Sequence, residues 1–147
     1  PLKSPRQCGI AQQDMHRPEV MKAAGVSGPP SFMPVVADYY SGMEVVIPIR
    51  VEHVTAGGSN ALEAVREALK ERYAKETLVS FADRVDEGGF IAANRLAGTN
   101  MLEIAVDGSE ENIIITATYG NLGKGASGAA VQNMNIMLGL DEEKGLV

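Results

Sequence analysis

The amino-acid sequence predicts an α+β fold, in which helices lie on one face of a mixed or antiparallel sheet. Three segments have helical features, and the strand-like segments between them come in groups. Grouped strands favour pairing through hairpins, whereas strict alternation of strand and helix would favour a parallel sheet. A length of 147 residues suits one domain, so residues 1–147 are expected to form a single domain.

Proline, glycine and charge positions predict the elements of the first forty residues. Pro18 and Glu19 suit the first turn of a helix over His16–Ala24, and Gly25 suits its end. The residues before this helix are expected to form coil or a short strand. A further strand is expected near Phe32–Ala37.

The segment Met43–His53 predicts a long strand, because valine and isoleucine alternate with other residues. The second face, which carries Glu44 and Arg50, is expected to contact water. Pro48 has no N–H to donate, so this strand should lie at an edge of the sheet or contain a bulge.

Asn60 followed by Glu63 resembles a capping box and predicts a helix that ends near Tyr73. Asp107 and Gly108 predict a hairpin between two later strands. The last helix should run from about Lys124 to Leu138. The remaining strands are predicted at Leu78–Ala82, Phe90–Ala93, Met101–Val106 and Asn112–Tyr119.

Composition argues against several classes of protein. A net charge of -6 with no basic cluster argues against nucleic-acid binding, and the apolar runs fall short of the roughly 20 residues that span a membrane. A single cysteine, Cys8, suits a reducing, cytoplasmic setting, and its place in coil favours a bystander thiol. His53 is expected at a surface, and no spacing of ligand residues predicts a metal site.

Residues Gly123–Gly128 match G-x-G-x-x-G, but their context argues against a dinucleotide fingerprint. That motif needs a second parallel strand and an acidic residue about 20 positions later, for which too little chain remains. A phosphate-binding P-loop fails as well, because glycine follows Lys124 where serine or threonine is required. Two interpretations stay open: a bare helix start with free N–H groups for an anion, or a tight packing contact.

His16 and Glu19 form a candidate acid–base pair at the start of the first helix. Histidine titrates near neutrality, and a carboxylate three residues on could orient its ring. The alternative is a histidine that caps the helix beside an exposed glutamate.

Ile113, Ile114 and Ile115 are consecutive, so they cannot all lie on one face of a strand. Both faces should therefore be covered, one by this domain's helices and the other by a partner subunit or a further domain. We expect a homo-oligomer that forms through the sheet.

Several motifs together resemble the substrate half of N-acetyl-γ-glutamyl-phosphate reductases. They are His16–Glu19, Phe32–Pro34, Tyr40–Met43 and the long closing segment Asn121–Asn135. The resemblance covers essentially the whole chain. Aspartate-semialdehyde dehydrogenases share a weaker form of the closing segment.

The resemblance implies a fold like the C-terminal domain of glyceraldehyde-3-phosphate dehydrogenase and a catalytic and dimerisation role. The family reduces an acyl phosphate to a semialdehyde with NADPH on the route to arginine. A cysteine attacks the acyl phosphate, and a histidine, here His16 with Glu19 as its partner, handles the protons. The start of the last helix would lie near the nicotinamide, which makes Lys124, Gly125, Ala126 and Gln132 the candidate cofactor-binding residues.

The chain departs from the family pattern in two ways. Asp14 stands where the family often has a further histidine, and Cys8 does not match the nucleophile motif S-N-P-G-C. We therefore expect that the Rossmann domain, with most of the NADP(H) site and the nucleophile, is absent from this chain. The alternatives are an aspartate-semialdehyde dehydrogenase domain or a non-catalytic assembly module of the same fold.

Overall fold

The computed structural model describes residues 4–55, 60–85 and 87–146. These residues form two compact units, of which the first ends at Tyr40 and the second begins at Ser41. Each unit is described by itself.

The first unit contains one helix and a two-stranded antiparallel sheet. The helix α1 occupies His16–Ala24, as predicted, and Gly25 ends it in the left-handed conformation at φ 65°. The strand β1 (Arg6–Gln7) pairs with β2 (Val35–Val36). The strand expected near Phe32–Ala37 is therefore only two residues long, because β1 offers only two partner residues.

Gln12 and Arg17 hold the segment before β2 against the start of α1. The Gln12 amide donates to the Phe32 carbonyl at 2.7 Å and accepts from the Phe32 N–H at 3.0 Å. The Arg17 guanidinium donates to the carbonyls of Pro30 and Gln12. Backbone groups that no strand satisfies are thus satisfied by side chains.

The second unit is built on a four-stranded sheet of order β3-β6-β5-β4. The strands β3 and β5 both pair antiparallel with β6, whereas β4 pairs parallel with β5, so the sheet is mixed as predicted. Its strands are β3 (Met43–Arg50), β4 (Val79–Ala82), β5 (Leu102–Gly108) and β6 (Asn112–Tyr119). Among its described residues the unit also contains two helices, α2 (Ala61–Tyr73) and α3 (Gly128–Met137), the 3₁₀ turn Val51–His53 and the π turn Gly123–Ser127.

The core lies between α2 and one face of this sheet. Val106 and Ile113 are almost fully buried there with Ala61, and Leu62 and Val65 of α2 pack against them. The larger set packed around this centre is Ile49, Val51, Val54, Leu69, Phe81 and Ile115. Burial of this apolar surface is the main force that holds α2 on the sheet.

Two details of β3 differ from the prediction. The strand lies at an edge, as Pro48 indicated, but it ends at Arg50 and the next three residues form the 3₁₀ turn. Its second face is not uniformly wet, because Glu44 is partly buried and burial raises the pKa of its carboxyl group. On the other face, Val45 and Ile47 stay 39% and 47% exposed.

The segment Phe90–Ala93 is not a strand, so that prediction was wrong. Gly88 and Gly89 have φ values of 69° and 92°, which direct the chain away from an extended path. The turns that follow pack close to the start of β3, where any side chain in place of Gly42 would overlap with Asn94. Arg95 in these turns pairs with Glu103 of β5.

The first residues of two helices and their capping also differ in part from the predictions. The helix α2 begins after Asn60 as expected, but the Asn60 side chain makes no capping hydrogen bond. The hairpin at Asp107 and Gly108 is confirmed. Gly108 has φ 149°, and a side chain there would overlap with the Asn112 carbonyl. The last α-helix begins at Gly128 rather than near Lys124, since the preceding residues form the π turn.

Candidate functional site

The His16 imidazole binds Asp14, not Glu19. His16 is the first residue of α1, and its Nδ1 lies 2.7 Å from Oδ1 of Asp14. The same oxygen accepts the His16 backbone N–H at 2.9 Å. Within this fully described part of the chain, no hydrogen bond or ion pair joins Glu19 to the ring. The ring makes no capping hydrogen bond, and the Asp14 carboxylate instead accepts the backbone N–H of the first residue of α1.

The charge on Asp14 is stabilised by these contacts. The hydrogen bond from the His16 backbone N–H, followed by the one from its side chain, holds the pKa of Asp14 below its ordinary value. The His16 side chain stays 59% exposed, whereas that of Asp14 is 23% exposed. The arrangement therefore presents an accessible imidazole with one nitrogen held by a carboxylate.

Residues of the segment before β2, which Gln12 holds against the start of α1, lie near the His16 ring. The Phe32 ring lies 6.0 Å from the imidazole, centroid to centroid, at an interplanar angle of 43°. Cys8 is exposed and its thiol points to the Pro34 carbonyl at 3.5 Å. In the first unit as described, Cys8 makes no hydrogen bond to His16.

Of the candidate cofactor-binding residues, Lys124 and Gln132 are joined in one hydrogen-bonded chain. Lys124 Nζ donates to Gln132 Oε1 at 2.6 Å, and Gln132 Nε2 donates to Glu142 Oε2 at 3.1 Å. Thr77 donates to the other oxygen of Glu142 at 2.8 Å. These hydrogen bonds fix the orientation of the Gln132 amide, so that its oxygen faces the Lys124 ammonium group.

The pKa values of Lys124 and Glu142 are both lowered, which disfavours the charged form of the lysine and favours that of the glutamate. Burial lowers the pKa of Lys124, although the carboxylates of Glu142 and Glu76 oppose the shift. Hydrogen bonds from Gln132 and Thr77 lower the pKa of Glu142. A cation whose charge is partly desolvated interacts more strongly with any anion brought to it.

The glycines of Gly123–Gly128 serve packing inside the second unit. A side chain at Gly123 would overlap with the Thr99 carbonyl, and one at Gly128 would overlap with Asn100 Oδ1. The N–H groups of Gly125 and Ser127 already donate to carbonyls five residues earlier. The free N–H groups expected at this helix start are thus largely satisfied, and the tight-packing interpretation accounts for these glycines. Gly125 and Ala126 nevertheless remain exposed.

Two asparagines tie the C-terminal segment to this region. The buried Asn135 donates to the carbonyls of Glu142 and Lys144, and Asn100 donates to the carbonyl of Leu146. Glu142 is therefore placed beside Gln132 with the help of Asn135, on the same helix as Gln132, and of the distant Asn100.

Sequence reasoning missed three of these partners. Asp14 had a detectable signal, because an aspartate two residues before a helix start commonly accepts the N–H of the second residue on. Thr77 and Glu142 had none, since only the fold brings Glu142 to Gln132 and Thr77 to Glu142. His53 is exposed, as expected, and lies 3.9 Å from Glu52.

The described residues lack two kinds of feature. None of their helices is long and apolar enough to cross a membrane. No group of three histidine, cysteine or acidic side chains among them is placed to hold a metal ion.

Comparison with known proteins places this fold and these motifs in a family. The family model for the dimerisation domain of semialdehyde dehydrogenases matches residues 9–121. The chain belongs to this family, whose domain has the fold of the C-terminal domain of glyceraldehyde-3-phosphate dehydrogenase.

Within this family, the chain is similar to several proteins named N-acetyl-gamma-glutamyl-phosphate reductase. The chain is 39% identical over 145 residues to N-acetyl-gamma-glutamyl-phosphate reductase 2 of Nostoc sp., covering 94% of this chain and 44% of the relative. It is 40% identical over 146 residues to N-acetyl-gamma-glutamyl-phosphate reductase of Trichormus variabilis, with 94% and 44% coverage. The reductase of the same name from Rhizobium meliloti is 36% identical over 135 residues, with 88% and 43% coverage. The chain thus spans less than half the length of these relatives.

Proposed function

We propose that this chain is the substrate-binding and dimerisation domain of an N-acetyl-γ-glutamyl-phosphate reductase, a cytoplasmic enzyme of arginine biosynthesis. The observation that carries the proposal is the accessible His16 imidazole, held by a carboxylate, in a chain of this family. Relatives with the reductase name match nearly all of the chain. They favour this activity over the aspartate-semialdehyde alternative.

In this proposal His16 is the proton-transfer residue. Reduction of an acyl group to an aldehyde develops negative charge on the carbonyl oxygen, which a positioned acid must neutralise. Histidine can donate and then regain a proton near neutral pH, whereas an ordinary lysine or carboxylate cannot. Glu19 is three residues further along α1 and makes no hydrogen bond or ion pair with the ring, so in this proposal it supports His16 only through its charge.

The cofactor would be NADP(H), bound mostly by a Rossmann domain that the described residues do not include. When bound, it supplies the hydride. The exposed Gly125 and Ala126 leave room for close approach, and the Lys124 ammonium, oriented by Gln132, would attract an anionic or amide oxygen. The residues present therefore fit the edge of such a site but do not form all of it.

The first experiment measures the reductase activity and the binding of the cofactor separately. The complete protein that carries this chain should reduce N-acetyl-γ-glutamyl phosphate with consumption of NADPH, and β-aspartyl phosphate should be a poor substrate. By calorimetry, the 147-residue chain should not bind NADPH with a low-micromolar Kd. Reduction of neither acyl phosphate would favour the non-catalytic assembly module instead.

The second experiment replaces the candidate acid. His16→Asn in the complete protein should lower kcat by about 10²–10⁴-fold, the usual contribution of a positioned acid or base. Glu19→Gln should cost less. His53→Asn is the matched control, because that histidine is exposed and should leave turnover unchanged. Near wild-type turnover of a folded His16→Asn variant would refute the assignment.

Assembly through the sheet is part of the same proposal. Ile113 is fully buried against α2, whereas Ile114, on the opposite face, stays 40% exposed. On the same face as Ile114, Val46 of the edge strand, which pairs with Thr116, is 51% exposed. A dimer or larger oligomer would remove this apolar surface from water. A monomer in sedimentation experiments at high concentration would contradict this part of the proposal.

A further inference from the structure

The contact between Asp14 and His16 does more than start a helix. One carboxylate oxygen accepts two hydrogen bonds from the same residue, at 2.9 Å from the backbone N–H and at 2.7 Å from Nδ1. The first of these fixes the carboxylate relative to α1. The second then fixes the imidazole relative to the carboxylate.

We propose that Asp14 is a positioning residue that holds His16 in the tautomer with its proton on Nδ1, leaving Nε2 free to exchange protons with the substrate. This inference rests on the proposed function, and it assigns to Asp14 the orienting role that the sequence suggested for Glu19. The proton-transfer atom is therefore Nε2 of His16.

The chemistry of the pair determines the tautomer. An ionised carboxylate only accepts hydrogen bonds, so Nδ1 at 2.7 Å must carry the proton. A neutral imidazole has one N–H, and Nε2 must then hold a lone pair. The backbone N–H of His16 keeps Asp14 ionised, since it lowers the pKa of that carboxyl group. A proton taken up at Nε2 gives an imidazolium that the adjacent carboxylate stabilises.

The remaining contacts restrict the ring from the other side. Phe32 lies 6.0 Å away, and Gln12 holds its backbone through two hydrogen bonds of 2.7 and 3.0 Å. Gly9 also has a function here, because its left-handed φ of 62° turns the chain next to Pro34 and Asp14. The ring therefore has a defined orientation although it is 59% exposed.

The alternative is that Asp14 only caps α1, and substitution by serine separates the two roles. A serine hydroxyl also accepts a backbone N–H at a helix start, so Asp14→Ser should keep the cap and the fold. It has no charge and does not reach the ring. Asp14→Asn is the second variant, which keeps the cap even if the serine variant folds poorly.

The spectroscopic test needs no activity. ¹⁵N NMR of the ring nitrogens at pH about 8.5, where an ordinary histidine is neutral, reports which nitrogen carries the proton. The chain has two histidines, so His53 is an internal reference, since its Nε2 lies 3.9 Å from Glu52 Oε1, beyond hydrogen-bonding distance. His16 should show a protonated Nδ1, and in Asp14→Ser it should revert to the mixture seen for His53. A wild-type His16 with the same tautomers as His53 would overturn the inference.

The kinetic test uses the complete protein. Asp14→Ser should lower kcat by about 10–100-fold, because the ring is no longer oriented for proton transfer, with a smaller change in KM. A kcat within about twofold of wild type would leave Asp14 as a cap only and overturn its positioning role. Absence of turnover in the wild-type protein would instead refute the proposed function, whatever tautomer NMR reports.

Discussion

Gly128, the first residue of α3, should not tolerate a methyl group. A Cβ at this buried position would overlap with Asn100 Oδ1 and lie 2.8 Å from the Gly123 carbonyl oxygen. Relieving the overlap moves Asn100, whose amide donates to the Leu146 carbonyl at 2.7 Å. Overpacking of this kind costs about 1–3 kcal/mol, and loss of the hydrogen bond costs about 0.5–1.5 kcal/mol more.

The intrinsic effect has the opposite sign. Alanine is about 1 kcal/mol more favourable than glycine inside a helix. The structure therefore predicts that Gly128→Ala lowers the free energy of unfolding by about 1–3 kcal/mol, whereas helix propensity alone predicts an increase. Urea unfolding followed by circular dichroism measures the difference.

Two further variants locate the cause. Gly125→Ala is the matched control, because its nearest contact is the edge of the Tyr119 ring at 3.0 Å and the position is exposed. It should cost less than about 1 kcal/mol. In an Asn100→Ala background, the cost of Gly128→Ala should fall by at least about 1 kcal/mol, since only the Gly123 contact remains. A neutral or stabilising Gly128→Ala variant, or an unchanged cost in that background, would refute this account of the glycine.

Two other predictions concern charged side chains. The lowered pKa of Glu142 means that its carboxyl group binds a proton less readily in the folded state than in the unfolded state. The ionised group therefore stabilises the fold above the ordinary pKa of 4.5, and this contribution is lost as pH falls through the lower folded pKa. Glu142→Gln should therefore flatten the pH dependence of urea unfolding below about pH 4.5, and an unchanged profile would contradict it. Arg66→Lys should lose both hydrogen bonds to the Val106 carbonyl and cost about 1–3 kcal/mol in unfolding experiments, whereas Arg72→Lys, an exposed partner of Glu76, should change stability by less than about 0.5 kcal/mol. Equal effects of the two arginine changes would show that the Val106 contact contributes little.

Local signals in the chain were enough for the regular elements of the fold. The helix at His16–Ala24 is confirmed to the residue, because proline, an acidic first turn and a C-terminal glycine all act within a few positions. The strand that became β6 is also confirmed over Asn112–Tyr119. Phe90–Ala93 was wrong, because an apolar run of four residues is compatible with a turn that packs on a sheet.

Part of the candidate site could likewise be predicted from local signals, and part could not. His16 could be selected from sequence, since histidine at a helix start within family-like motifs is a local feature. Its carboxylate partner could not, because the three-residue spacing favoured Glu19 and no local pattern was used to bring Asp14 to the ring. The three-dimensional path of the chain before α1 places the Asp14 oxygen on Nδ1.

Sequence alone predicted the α+β class, an edge or a bulge for β3, and the family, because periodicity, a proline without an N–H and short motifs are each contained in adjacent residues. Only the tertiary structure decided what the small residues of Gly123–Gly128 do. Their missing side chains accommodate Thr99 and Asn100, which lie more than twenty residues away in sequence. The same holds for Glu142 and Thr77, which meet through a hydrogen bond across a separation of 65 residues. Contacts of this kind depend on how separate segments pack, and no local pattern encodes the partner.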